Sequence, residues 1–119
     1  MFVHKSTERL IKADLKGKFS GFCEEQYSSL PNFIIIGAAK SATTTLTTVL
    51  QRHPDVFVSK PKEPKFFGRN YNKGWEWYAS RFAAGEKVLL RGEASTMYSS
   101  SFNSYRWSPE LMCRFLPRL

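Results

Sequence analysis

Phe33-Ile34-Ile35-Ile36-Gly37-Ala38-Ala39-Lys40-Ser41-Ala42-Thr43-Thr44-Thr45-Leu46 is an apolar run that ends at a glycine and opens into a loop holding one lysine and several hydroxyls. The β-branched triplet 34–36 predicts a strand buried on both faces, and Gly37 lets the backbone turn sharply where a Cβ would obstruct it. A helix is predicted over 43–52, with Leu46, Val49 and Leu50 at i, i+3 and i+4 on one face and a stop before Pro54. The unpaired N–H groups of its first turn and the positive end of its dipole then face the same point as the Lys40 ammonium and the hydroxyls of Ser41, Thr43 and Thr44. Such a junction is an anion cradle, suited to a phosphate or a sulfate. Thr43, Thr44 and Thr45 are also candidates for capping the helix.

The loop departs from the nucleoside triphosphate pattern G-x-x-x-x-G-K-[ST]. Lys40 stands only three positions beyond Gly37, and Ala42 occupies a place where a glycine is expected, so an ordinary ATPase or GTPase is disfavoured. Further along, 56–58 is a brief extended run before the Lys60-Pro61 turn. The stretch 74–82 brings Trp75, Tyr78 and Phe82 onto one helical face, Gly85 ends it, and 88–90 returns as a strand. Ser108-Pro109-Glu110 is a helix start, with the hydroxyl at the N-cap and proline in the first turn, and Leu111, Met112, Phe115 and Leu116 supply its buried stripe. Alternating strands and helices predict an α/β fold with a P-loop-like parallel sheet, flanking helices, and the loop at the carboxyl end of the first strand. Residues 1–30 read as an N-terminal helix and linker, and 31–119 as the domain proper.

Composition narrows the function classes. Lys and Arg number 18 against 10 Asp and Glu, a net charge of +8 that favours an anionic partner. Nucleic acid is not favoured, because the basic residues are dispersed and no helix-turn-helix, zinc-finger or RNP pattern appears. No apolar run approaches the ~20 residues of a membrane span. The charged start, with Lys5, Glu8, Arg9, Lys12, Asp14 and Lys16, does not read as a signal peptide, so a cytoplasmic protein is expected. Cys23 and Cys113 are too few for a disulfide framework or a zinc site.

The string G-x-x-K-S-x-T-T-x-L closely resembles the 5′-phosphosulfate loop of the sulfotransferase family. His53-Pro54-Asp55-Val56, Lys62-Glu63-Pro64-Lys65-Phe66-Phe67, Tyr71-Asn72-Lys73-Gly74 with Trp77-Tyr78, and Gly92-Glu93-Ala94-Ser95 with Tyr98 follow in the order of the carbohydrate-type branch, which includes the heparan sulfate enzymes and their bacterial relatives. The resemblance covers roughly 31–119 and implies a truncated sulfotransferase fold whose co-substrate is 3′-phosphoadenosine 5′-phosphosulfate, with no metal. It implies that Lys40 stabilises charge on the departing phosphate, that Glu63 is the catalytic base toward a hydroxyl acceptor, possibly a glycan, and that Lys40, Ser41, Ala42, Thr43 and Thr44 hold the donor's 5′ end. Glu93 and Ser95, just after a predicted strand, either meet substrate or hold a turn. The environment of Glu63 pulls both ways: aromatic neighbours raise its pKa, and Lys62 and Lys65 lower it.

Three departures matter. If position 42 requires φ > 0, alanine there costs about 1 kcal/mol. Ala94 stands where the heparan sulfate enzymes commonly have lysine. The arginine and serine with which the family binds the 3′ phosphate have no counterpart up to Leu119, so the resemblance implies the N-terminal part of such a domain. The alternative reading is a truncated, catalytically silent relative that binds phosphate-rich ligands, or simply a fragment.

Overall fold

Three short parallel strands, β1 (Phe33–Ile34), β2 (Val56–Val58) and β3 (Leu90–Glu93), form a sheet in the order β1-β3-β2. The computed structural model describes residues 5–17, 29–37, 42–99, 103–116 and 119. Phe33 lies opposite Gly92 and Ile34 opposite Glu93, while Val56, Phe57 and Val58 face Leu90, Arg91 and Gly92. Flanking main-chain bonds lengthen the ladder, from Ile35 N–H to the Glu93 carbonyl (2.9 Å) and from Ser59 N–H to that of Gly92 (2.9 Å). Asn32 seals the other end, its amide donating to the Leu89 carbonyl and its oxygen accepting from Arg91 N–H. Gly92 is required by the sheet itself, since a Cβ there would lie 2.4 Å from the Phe33 ring.

Helix α1 (Lys5–Leu15) precedes the sheet, α2 (Thr43–Gln51) links β1 to β2, α3 (Gly74–Ser80) lies between β2 and β3, and α4 (Ser108–Phe115) follows. The α/β class and parallel sheet agree with expectation, as do β2 and the start of α2. The third strand begins at Leu90, the last residue of the apolar run 88–90, and pairing continues through Arg91 to Glu93. α3 ends at Ser80, earlier than predicted, so Phe82 lies beyond it, yet Trp75, Tyr78 and Phe82 are all buried.

Two local expectations are corrected. Ile34 and Ile35 are half-buried but Ile36 is 46% exposed, and Leu46 and Val49 are 47% and 57% exposed, so the triplet is not buried on both faces and most of the expected apolar face of α2 is uncovered; Thr43 and Thr47 turn inward instead. Such inward threonines are tolerated because the Thr47 hydroxyl donates to the Thr43 carbonyl, which leaves it no unmet bond. Ser108 does not cap α4: Trp107 is the N-cap, and the Ser108 hydroxyl donates to the Phe67 carbonyl. The stripe Leu111, Met112, Phe115 and Leu116 is buried as predicted.

The core is aromatic. Phe66 and Phe67 are fully buried at its centre, Phe66 stacked on Tyr78 at 4.3 Å and edge-on to Trp75 at 4.9 Å. Tyr71, Phe82, Tyr98, Tyr105 and Phe115 complete it. α1 joins this core through Ile11 and through Asp14, which accepts a 2.5 Å bond from the Tyr71 hydroxyl. Each such ring contributes on the order of 1.5–3 kcal/mol by burial, so the two phenylalanines that end the K-E-P-x-F-F string anchor the segment bearing Glu63.

Candidate active site

Because the strands are parallel, the segments that leave them emerge at one edge: Gly37 after β1, Ser59 to Lys65 after β2, and Ala94 to Ser99 after β3. The last two are clasped together. Ala94 N–H donates to the Lys62 carbonyl (3.0 Å), Lys65 N–H to the Ser95 hydroxyl (3.0 Å), and Phe66 and Phe67 N–H to the Tyr98 hydroxyl (2.9 and 3.3 Å). The β1 exit is drawn to the same turn, since Ser99 N–H donates to the Ile36 carbonyl (3.0 Å). Gly37, at φ 142°, permits this approach: a Cβ there would sit 2.4 Å from the Ser99 hydroxyl and 2.8 Å from the Thr96 carbonyl.

Glu63 sits in the clasp with one carboxylate oxygen accepting from both Thr96 N–H (3.0 Å) and the Thr96 hydroxyl (2.9 Å). Burial pushes its carboxyl up, but the two Thr96 bonds, with Lys62 and Lys65 nearby, outweigh that and hold it below the ordinary glutamate value. It is therefore an anion at neutral pH with its second oxygen available to a proton. Lys62, the preceding residue, donates to the Thr44 hydroxyl at 3.0 Å. Neighbouring residues thus present an ammonium to the first turn of α2 and a carboxylate to Thr96.

At the start of α2, Ala42 is the N-cap with φ 61° and ψ 23°, the left-handed conformation that makes its lack of a glycine consequential, and it supplies no side-chain cap. None of the three threonines takes the N-cap position, contrary to the capping expectation; Thr43 is buried, while Thr44 and Thr45 are exposed. Lys40 and Ser41 lie outside the described residues. The structure thus brings Thr44 and Glu63 together through Lys62. Lys62 was not singled out from the sequence, where its one signal is that it precedes Glu63; Thr96, which holds Glu63, has no signal at all.

Other candidates resolve into structure. Glu93 is fully buried at the end of β3, where one oxygen accepts from the Tyr78 hydroxyl (2.6 Å) and the Tyr98 hydroxyl (3.2 Å), so its carboxyl is engaged inside the fold. Burial raises its carboxyl to about 7, against the opposing hydroxyls of Ser95, Tyr78 and Tyr98 and with Glu63 adding repulsion. His53 accepts from Asp55 N–H at 3.1 Å and shapes the turn into β2. Trp77 is half-buried with Lys73 and Arg81 against its ring at 4.8 and 5.2 Å.

No family model matches the chain. Individual relatives do. It is 42% identical over 78 residues to "Membrane-associated sulfotransferase kil1" of Dictyostelium discoideum, a match covering 63% of this chain and 17% of that protein. It is 47% identical over 80 residues to "Heparan sulfate glucosamine 3-O-sulfotransferase 3B1" of Mus musculus, covering 67% and 20%. It is 38% identical over 73 residues to "Bifunctional heparan sulfate N-deacetylase/N-sulfotransferase 1" of Caenorhabditis elegans, covering 56% and 9%. The matches span a fifth or less of the length of these relatives. They also overturn the expected cytoplasmic location, since the Dictyostelium relative is by name membrane-associated. Among the described residues no helix is long and apolar enough to cross a membrane, but a charged start and the lack of a span do not specify a compartment, because a protein can be held at a membrane by other means. Its curated homologues, at 38–47% identity in these three cases, are sulfotransferases, and the chain is similar to that family over the matched stretch.

Proposed function

We propose that this chain supplies the donor-loop and proton-accepting part of a sulfotransferase that moves a sulfuryl group from 3′-phosphoadenosine 5′-phosphosulfate to a carbohydrate hydroxyl, with 31–119 as the N-terminal part of the catalytic domain. The observation that supports this reading most is the clasp that sets Glu63, ionised and held by Thr96, one residue from a lysine touching the start of α2. In the transfer, the acceptor oxygen bonds to sulfur as the bond from sulfur to the phosphate oxygen breaks. The hydroxyl proton goes to Glu63 and the electron pair leaves on the phosphate. The Lys40 ammonium offsets the charge that develops there, a contribution larger in the transition state than in the ground state. Lys62 adds a second cation at the same helix start. Ser41, Ala42, Thr43 and Thr44 offer hydroxyls and main-chain N–H groups to the 5′ phosphate in the P-loop-like manner.

The test combines binding with transfer. Adenosine 3′,5′-bisphosphate titrated into the ¹⁵N-labelled chain should bind weakly and shift the Thr43 and Thr44 amides, and Lys62→Ala should weaken this about tenfold, the worth of a charged hydrogen bond. With the sulfate-labelled donor and an unsulfated heparan-type polysaccharide, Glu63→Gln should lower transfer at least about 100-fold. Unshifted amides together with no transfer, or transfer unaffected by Lys40→Ala, would defeat the proposal.

A further inference from the structure

We propose that Glu93 is a positioning residue: its buried side chain, acting through Tyr98, holds the segment that carries Glu63, while its backbone holds the strand that leads into the donor loop. The backbone half is the 2.9 Å bond from Ile35 N–H to the Glu93 carbonyl, the last tie between the β1 segment and the β3 strand before Gly37. The side-chain half has a direction imposed by chemistry. The Tyr98 hydroxyl has one proton and accepts from two main-chain donors, Phe66 N–H and Phe67 N–H. It keeps its lone pairs toward those amides when its proton goes elsewhere; the Glu93 carboxyl oxygen at 3.2 Å accepts it, and the Ser95 hydroxyl, which itself accepts from Lys65 N–H, is the other oxygen close by. The Tyr78 hydroxyl, 2.6 Å away on α3, donates to the same oxygen.

Glu93 therefore closes a chain of contacts that ends at the proposed base: β3, Tyr98, the amides of Phe66 and Phe67, and Glu63 three residues earlier. Thr96, which grips Glu63 directly, lies in the same 3-10 turn as Tyr98, Thr96–Ser99. The charged and titratable groups around the Glu93 carboxyl are Tyr78, Tyr98 and Glu63, with the Ser95 hydroxyl beside them. A carboxyl group that is fully buried, bonded to two tyrosines and kept from solvent is suited to orientation and not to exchanging protons with a substrate. The consequence for catalysis rests on the sulfotransfer reading; the placement of Glu63 does not.

The test follows amide exchange at Phe66 and Phe67 and the ¹³C titration of the Glu63 carboxyl in the full chain. Tyr98→Phe, which keeps the ring and removes one hydroxyl, should speed exchange of both amides at least about tenfold and move the Glu63 titration upward, with Leu111 exchange in α4 unchanged. Glu93→Leu should do the same, and Glu93→Gln, whose amide oxygen can accept both hydroxyls, should restore protection. Unaltered Phe66 and Phe67 exchange and an unmoved Glu63 titration in Tyr98→Phe would overturn the proposal. Neither measurement involves sulfate, so a chain that transfers none counts against the proposed function alone.

Discussion

Glu63 and Glu93, two carboxyls at one edge of the sheet, are driven apart by their surroundings, and their effects on stability have opposite signs. Glu63 is held below its ordinary value by Thr96 and the flanking lysines despite partial burial, so the fold favours its anion. Its contribution is present above the ordinary glutamate range and is lost as pH falls through the folded value. Glu93, raised by burial to about 7, favours its neutral form; its contribution is full below 4.5 and is lost as pH rises toward about 7. Thermal unfolding followed from pH 3 to 8 should therefore show an acid limb that Glu63→Gln flattens and a separate decline between about 4.5 and about 7 that Glu93→Gln flattens. The identity of Glu63 as the candidate base was legible in Lys62-Glu63-Pro64-Lys65-Phe66-Phe67. Its ionisation was not, because that depends on Thr96, which lies 33 residues away in sequence.

Two non-glycine residues among those described lie in the left-handed region, Lys65 at φ 53° and Ala42 at the start of α2. Ala42 at φ 61° occupies the left-handed region, which costs a residue bearing a Cβ about 1–2 kcal/mol. Ala42→Gly relieves this, offset by the larger backbone entropy of glycine, roughly 0.5–1 kcal/mol. The net gain should be under about 1 kcal/mol by urea unfolding, whereas Ala42→Val should lose stability because a β-branched side chain fits that region worse. An unchanged midpoint in both variants would mean that Ala42 carries no strain. At this scale the sequence reads well where periodicity or turn chemistry is local: β2, the α2 start and the α4 stripe are all found where patterns place them. It reads poorly where a side chain has two possible partners. Ser108 has the chemistry of an N-cap, but a buried Phe67 carbonyl takes its hydroxyl, since leaving that acceptor unpaired costs more than losing a cap.

On the whole molecule, apolar side chains remain uncovered on the sheet and on α2: Ile36, Leu46, Val49, Leu89 and Leu90 are all at least 40% exposed. Among the described residues β1 pairs with β3 alone, leaving its other edge open. Open strand edges and apolar faces promote self-association. Sedimentation should show association that rises with concentration, and the double variant Leu46→Lys, Val49→Glu should reduce it without lowering the melting temperature; a monomer at all concentrations would rule this out. The sequence by itself determined the α/β alternation, the glycine turn after the isoleucines and the motif segments, because each depends on residues within a few positions of one another. Only the tertiary structure decided that Lys62 bonds to Thr44, that Thr96 holds Glu63 and that Glu93 is buried between two tyrosines. Those contacts join segments that become neighbours when parallel strands end at the same edge, and no local pattern encodes which side chains meet there.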